Sequence, residues 1–131
     1  MRQTVILSAE DNATNRRIIR DLFGKKGYTV IEAVNGEEAV ATAAREKPDL
    51  ILMDIQLPKM SGYDAARAIR ANPDLAHVPI IAVTSYALSG DDRKALEAGC
   101  DDYIAKPFHP KLLVEKVEAL LADRAPPGAA P

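Results

Sequence analysis

Apolar residues in this chain follow two rhythms that take turns from one end to the other. Short runs rich in β-branched or aromatic residues predict five strands: Thr4 to Ala9, Tyr28 to Ala33, Leu50 to Met53, Ile80 to Thr84 and Tyr103 to Ala105. Between and after them, apolar residues recur at helical spacing. Ile18, Ile19, Leu22 and Phe23 predict the buried face of a first helix, and Ala39, Val40, Ala43 and Ala44 that of a second. Ala65, Ala66 and Ile69 mark a third, Ala95, Leu96 and Gly99 a fourth, and Leu113, Val117, Leu120 and Leu121 a fifth. Local punctuation agrees: Asn35-Gly36 precedes the second helix, Ser89 with Asp92 resembles a capping box, and Pro110 suits a first helical turn. Strict βα alternation implies right-handed crossovers and a parallel sheet covered by helices on both faces, an α/β fold. In such folds ligands gather beyond the carboxyl ends of the strands, near a switch in strand order.

Composition narrows the function. The 131 residues fit one domain, with residues 1–124 carrying the pattern and 125–131, rich in Pro, Ala and Gly, expected to form a flexible tail. Seventeen basic and nineteen acidic residues, net charge -2, are spread along the chain and leave no basic stripe for nucleic acid. Cys100 is the single cysteine, which excludes an internal disulfide and reads as a small packing residue. The longest apolar stretches, such as Leu50 to Met53, are too short to cross a bilayer, and Met-Arg-Gln-Thr opens no signal peptide; a cytoplasmic protein is expected.

The residues that close the strands carry the candidate chemistry. Glu10-Asp11 follows the first, Asp54 the third, Thr84-Ser85 the fourth and Lys106-Pro107 the fifth. On one edge of a parallel sheet these converge into a pocket of three carboxylates, a hydroxyl and an ammonium. Carboxylates about 4 Å apart repel by several kcal/mol at an effective dielectric near 20, so the pocket needs positive charge. Lys106 offers some, and a hard divalent cation such as Mg²⁺, with Glu10, Asp11 and Asp54 as ligands, offers the rest. A carboxylate beside Mg²⁺ is also a nucleophile towards phosphoryl groups, with Lys106 and the Thr84 hydroxyl placed to stabilise the transferring oxygens. Other chemistries lack their parts: His77 and His109 fall in loop-like positions and no Gly-rich phosphate loop is present. Singly, each residue has a plainer reading as a helix cap, a turn residue or a solvated lysine; their joint placement favours the functional one.

Four runs, Glu10-Asp11-Asn12, Leu50 to Gly62 around Asp54, Ile80 to Thr84, and Gly99 to Pro107, together resemble the receiver domains of two-component response regulators. The resemblance covers about positions 4–123. It implies a flavodoxin-like, doubly wound five-stranded sheet of order 2-1-3-4-5 with five helices. It further implies that Asp54 is the phosphoacceptor and that Glu10, Asp11, Asp54 and the backbone carbonyl of Gln56 hold Mg²⁺. Lys106 would pair with the phosphoryl group across a cis Lys106-Pro107 bond, with Thr84 the switch hydroxyl and Tyr103 the switch aromatic, although Tyr103 also suits plain core packing. Gln56 and Tyr86 occupy positions that tune dephosphorylation, bulky Tyr86 being expected to shield the phosphoryl group. Ser8, Ala9 and Ser85 depart from the commonest family pattern, the first two standing where large β-branched residues are usual.

A free-standing receiver is the resulting expectation: a switch protein, assisting only its own phosphorylation and dephosphorylation, that signals by altered protein contacts. Its donor would be a histidine kinase or a histidine phosphotransfer protein, and its target another protein; it would be a monomer or a phosphorylation-dependent dimer. Asn15, Arg16 and Arg20 are exposed candidates for partner contact on the first helix. A haloacid-dehalogenase-type phosphatase is disfavoured because Gln56 stands where its general acid belongs. A degenerate receiver is disfavoured because the acid pair, the acceptor and the lysine are all retained.

Overall fold

The two rhythms resolve into five strands and five helices in a computed structural model that describes residues 3–84 and 91–123. The strands are β1 Val5–Ala9, β2 Thr29–Ala33, β3 Leu50–Asp54, β4 Ile80–Thr84 and β5 Asp102–Ala105. They alternate with α1 Ala13–Gly24, α2 Gly36–Glu46, α3 Gly62–Ala71, α4 Asp91–Glu97 and α5 Pro110–Asp123, and a 3-10 turn, Pro73–Leu75, follows α3. Every strand pair is parallel and the order is β2-β1-β3-β4-β5, so the chain reverses its direction of travel across the sheet at β1 and β3. β3 and β4 are buried along their whole length, as strands covered on both faces must be.

Alternation along the strands divides the core into two layers. Leu7, Ile51, Met53, Ile80 and Ala82 point towards α2, α3 and α4, where Ala39, Ala43, Ala65, Ala66, Ile69, Ala95 and Ala98 meet them. Ile6, Leu50, Leu52, Ile81, Val83 and Ile104 point the other way, onto Ile19 and Phe23 of α1 and Leu113, Val114 and Val117 of α5. Alanine-rich faces on α2 and α3 let those helices lie close to the sheet.

Three helical faces differ from the sequence expectation. In α2, Thr42 is buried in place of Ala44, which is exposed. In α4, Leu96 is 53% exposed and Ala95 and Ala98 face the core, while Gly99 lies beyond the helix at φ +106, a turn that a side chain resists. In α1, Ile18 is 42% exposed; Ile19 and Phe23 fill the space under the helix, and Ile18 is turned towards the β5–α5 connection. Asn12, Asn35 and Ser61 cap α1, α2 and α3 through side-chain oxygens that accept from Asn15, Glu38 and Asp64 backbone N–H groups. The expected capping box at Ser89, Ser85, Tyr86 and the tail from Ala125 lie outside the described residues.

At the amino ends of the strands the charges are closed off. Asp49 Oδ2 accepts from the Val5 N–H at 2.8 Å, and Asp101 Oδ2 accepts from the Ile80 N–H at 2.8 Å. Arg70 of α3 holds that Asp101 oxygen at 2.6 Å and donates to the carbonyls of Gly99, Leu75, Ala76 and Val78. One side chain thereby ties α3, the 3-10 turn, and the entries to β4 and β5. Among the described residues no helix is long and apolar enough to cross a membrane.

Candidate acidic site

Glu10 follows β1 directly, held there by its N–H, which donates to the Ala33 carbonyl at 2.9 Å. Asp54 is the last residue of β3, and Lys106 follows β5, its N–H donating to the Thr84 carbonyl at 2.7 Å. The Lys106 ammonium lies 2.8 Å from Glu10 Oε1 and 2.9 Å from Asp54 Oδ2. Both acids are 2% exposed, and Asp11 beside them is exposed. Oxygens of Glu10, Asp11 and Asp54 all lie within 4.8 Å of one another. Two buried carboxylates therefore share one ammonium, with a third carboxylate beside them.

The remaining bonds fix these groups in place. Asp54 Oδ1 accepts from the Gln56 N–H at 2.9 Å, which leaves Oδ2 on the Lys106 side. Glu10 Oε2 accepts from the Asn12 N–H at 3.1 Å, and its carbonyl accepts from the Arg16 guanidinium at 3.0 Å. Burial pushes the Glu10 carboxyl up, an effect that the bonds from Lys106 and Asn12 reduce without cancelling. Burial pulls the Lys106 ammonium down, yet its bonds to Glu10 and Asp54 outweigh this and the net displacement is upward. The lysine is thus held charged while Glu10 is held at a cost.

Two glycines shape the loop behind Asp54. A Cβ on Gly62 would stand 2.3 Å from the Asp54 carbonyl oxygen, and one on Gly36 would stand 2.0 Å from the Met60 carbonyl oxygen. Gly62 N–H donates to the Ile55 carbonyl at 2.9 Å, so the chain doubles back tightly enough to aim Asp54 into the pocket. These close approaches escaped the sequence reading, where Gly36 served only as helix punctuation.

The donor set suits a divalent cation. It consists of hard carboxylate oxygens, two of them buried, with negative charge in excess of the single ammonium. Such a set also occurs on exposed surfaces without an ion, and comparison with other proteins decides what this one belongs to. Residues 6–118 match the family described as the response regulator receiver domain. The chain belongs to that family. It is 40% identical over 118 residues to the polar-differentiation response regulator DivK of Brucella anthropi, covering 90% of this chain and 96% of that one. Among solved structures it resembles the receiver domain of a sensor histidine kinase from Pseudomonas aeruginosa with magnesium coordinated in its active-site cleft. That likeness has 40% identity and a TM-score of 0.86, over 92% of this chain and 99% of that one. The signal receiver domain of a signal transduction histidine kinase from Syntrophus aciditrophicus is 34% identical, with a TM-score of 0.85, over 92% of this chain and 91% of that one.

Around the acidic pocket of this receiver the other singled-out residues are distributed unevenly. Thr84 is buried at the end of β4, one residue past Val83, the partner of Asp54 in the sheet. Tyr103 is half-buried on β5 and packs against the layer that holds α2, α3 and α4. The Gln56 side chain is exposed, and the Lys106-Pro107 peptide is cis. Arg16 and Asn15, expected to be exposed, are half-buried: Arg16 is bound to the Glu10 carbonyl, and Asn15 lines a cavity of about 360 Å³ with Ile18, Lys106, Pro107, Phe108 and Pro110. Arg20 is exposed and pairs with Glu32 of β2 at 3.0 Å.

Proposed function

We propose that this receiver is a phosphoacceptor switch of a two-component relay, phosphorylated on Asp54 with Mg²⁺ and signalling through altered protein contacts. The observation that supports it most is the Lys106 ammonium placed between two buried carboxylates, Glu10 and Asp54, with Asp11 within 4.8 Å. A carboxylate oxygen of Asp54 attacks the phosphorus of a phosphohistidine on a histidine kinase or histidine phosphotransfer protein. The new O–P bond forms as the P–N bond breaks, and the imidazole leaves with the electron pair and takes up a proton. The Gln56 N–H keeps the Asp54 carboxylate oriented, and Lys106 follows the negative charge onto the phosphoryl oxygens. Glu10, Asp11 and Asp54 would hold Mg²⁺, which would supply positive charge to offset that of the phosphoryl oxygens. Thr84, at the neighbouring strand end, serves as the switch hydroxyl and Tyr103 as the switch aromatic. Gln56, through its side chain, and Tyr86 set how fast water removes the phosphate.

In this reading the chain acts on no substrate but its own phosphoryl group and works in the cytoplasm. Its output is a protein target. Intact-protein mass after incubation with a small-molecule phosphodonor tests it: the parent gains one phosphoryl group with Mg²⁺, and Asp54→Asn gains none. Failure of the parent to gain mass from either that donor or a kinase would overturn the reading in favour of a constitutive interaction module.

A further inference from the structure

Ser8 is the last residue but one of β1, with no exposed surface, and its Oγ has no hydrogen-bond partner. A buried hydroxyl left unpaired is worse than an alkyl group of the same shape, so a plain packing role is better filled by alanine or valine. Alternation along β1 puts Ser8 on the face that carries Ile6 and Glu10, with Leu52 as its partner on β3. Leu52 precedes Asp54 on that same face. Ser8 therefore shares a face with the two buried carboxylates, its Cα about 7 Å along the strand from that of Glu10.

Glu10 has a weakness that this hydroxyl answers. Its Oε2 is held by the Asn12 N–H, whereas Oε1 depends on Lys106, which it shares with Asp54. Phosphorylation of Asp54 raises the negative charge there towards about -2 and draws the ammonium to it. Glu10 then stays buried with one donor fewer. We infer that Ser8 is a positioning residue for Glu10: when Lys106 turns to the phosphorylated Asp54, the Glu10 carboxylate, released at Oε1, turns to accept from the Ser8 hydroxyl. A carboxylate oxygen has two lone pairs, so the bond is compatible with Glu10 facing a cation as well. The inference rests on the acceptor reading above.

The test compares the parent with Ser8→Ala, Ser8→Val and Ser8→Thr. Two quantities are read: the melting temperature without ligand, and the affinity for beryllofluoride, a stand-in for the phosphoryl group, in the presence of Mg²⁺. Ala and Val variants should melt at or above the parent yet bind beryllofluoride about tenfold more weakly, and Thr, which restores the hydroxyl, should recover most of that affinity. Unchanged affinity in Ser8→Ala overturns the inference and leaves the acceptor reading intact. Equal losses of stability and affinity in all three variants also overturn it, since they mark a packing role. A parent that binds no beryllofluoride removes the acceptor reading and this inference together.

Discussion

At the amino ends of β4 and β5 one guanidinium, that of Arg70, meets four carbonyls and a carboxylate, and the same carboxylate accepts from a strand N–H. At the carboxyl ends of β1, β3 and β5 one ammonium is divided between two buried carboxylates, with a third beside them. Both clusters bind strand ends together, and both are built from long cationic side chains and acids. They differ in balance. The Arg70 cluster sets one guanidinium against one carboxylate and neutral carbonyls, whereas the Lys106 cluster keeps acidic oxygens in excess. Charge balance, more than the presence of charge, separates scaffold from site here.

Three substitutions sharpen that contrast. The largest effect belongs to Gly62→Ala, whose Cβ would press on the Asp54 carbonyl oxygen at 2.3 Å. It should cost about 3 kcal/mol in denaturant unfolding, the upper end for overpacking, and slow phosphoryl gain because the acceptor strand end is displaced. Arg70→Met comes next. It leaves the carbonyls around Leu75 to Val78 and Asp101 short of a donor and should cost about 2 kcal/mol, while Mg²⁺-dependent phosphoryl gain survives in the folded fraction. Loss of phosphorylation from a fully folded Arg70→Met protein would show that the two edges are not separable.

The smallest effect, and the one of opposite sign, is Glu10→Gln. Burial holds the Glu10 carboxyl above its ordinary value of 4.5. A carboxyl raised in the folded state binds its proton more tightly there than in the unfolded chain. Its contribution to stability is complete below pH 4.5 and is lost as pH rises through the raised folded value. Metal-free Glu10→Gln should therefore be more stable than the parent at neutral pH, by up to about 1 kcal/mol, with a flatter pH profile above pH 4.5. A variant less stable than the parent at pH 7 would mean that the Lys106 bond outweighs the burial of Glu10.

The acidic edge was legible in the sequence because strand ends are legible. Once five short runs are read as parallel strands, Glu10, Asp54, Thr84 and Lys106 must emerge together, and no knowledge of packing is needed. The layered order of the sheet came from the resemblance and holds. What stayed hidden depends on three-dimensional neighbours. Arg70 reads as an ordinary solvent-facing helix residue, because its acceptors come from Leu75 to Val78 and from Gly99 and Asp101. Gly62 is informative only when the Asp54 carbonyl is known to lie against it. Leu96 and Ile18 satisfy helical periodicity, yet smaller or neighbouring residues win the inward positions.

The division of the core into two layers sets a rule for how news of an event could travel. Alternation turns Glu10, Asp54 and Lys106 towards the side of α1 and α5, while Ala82, Thr84 and Tyr103 belong to the side of α2, α3 and α4. Between them stands a hydrogen-bonded sheet, a partition without doors. Under the proposed switch, a message written at Asp54 and read at Tyr103 would have to go over the top of that wall, where β4 and β5 end. Thr84 stands on that rim, and its neighbour Ala105 is paired with it across the strands. Under that proposal the rim at Thr84 and Ala105 would be the shortest wire between the two rooms of this molecule.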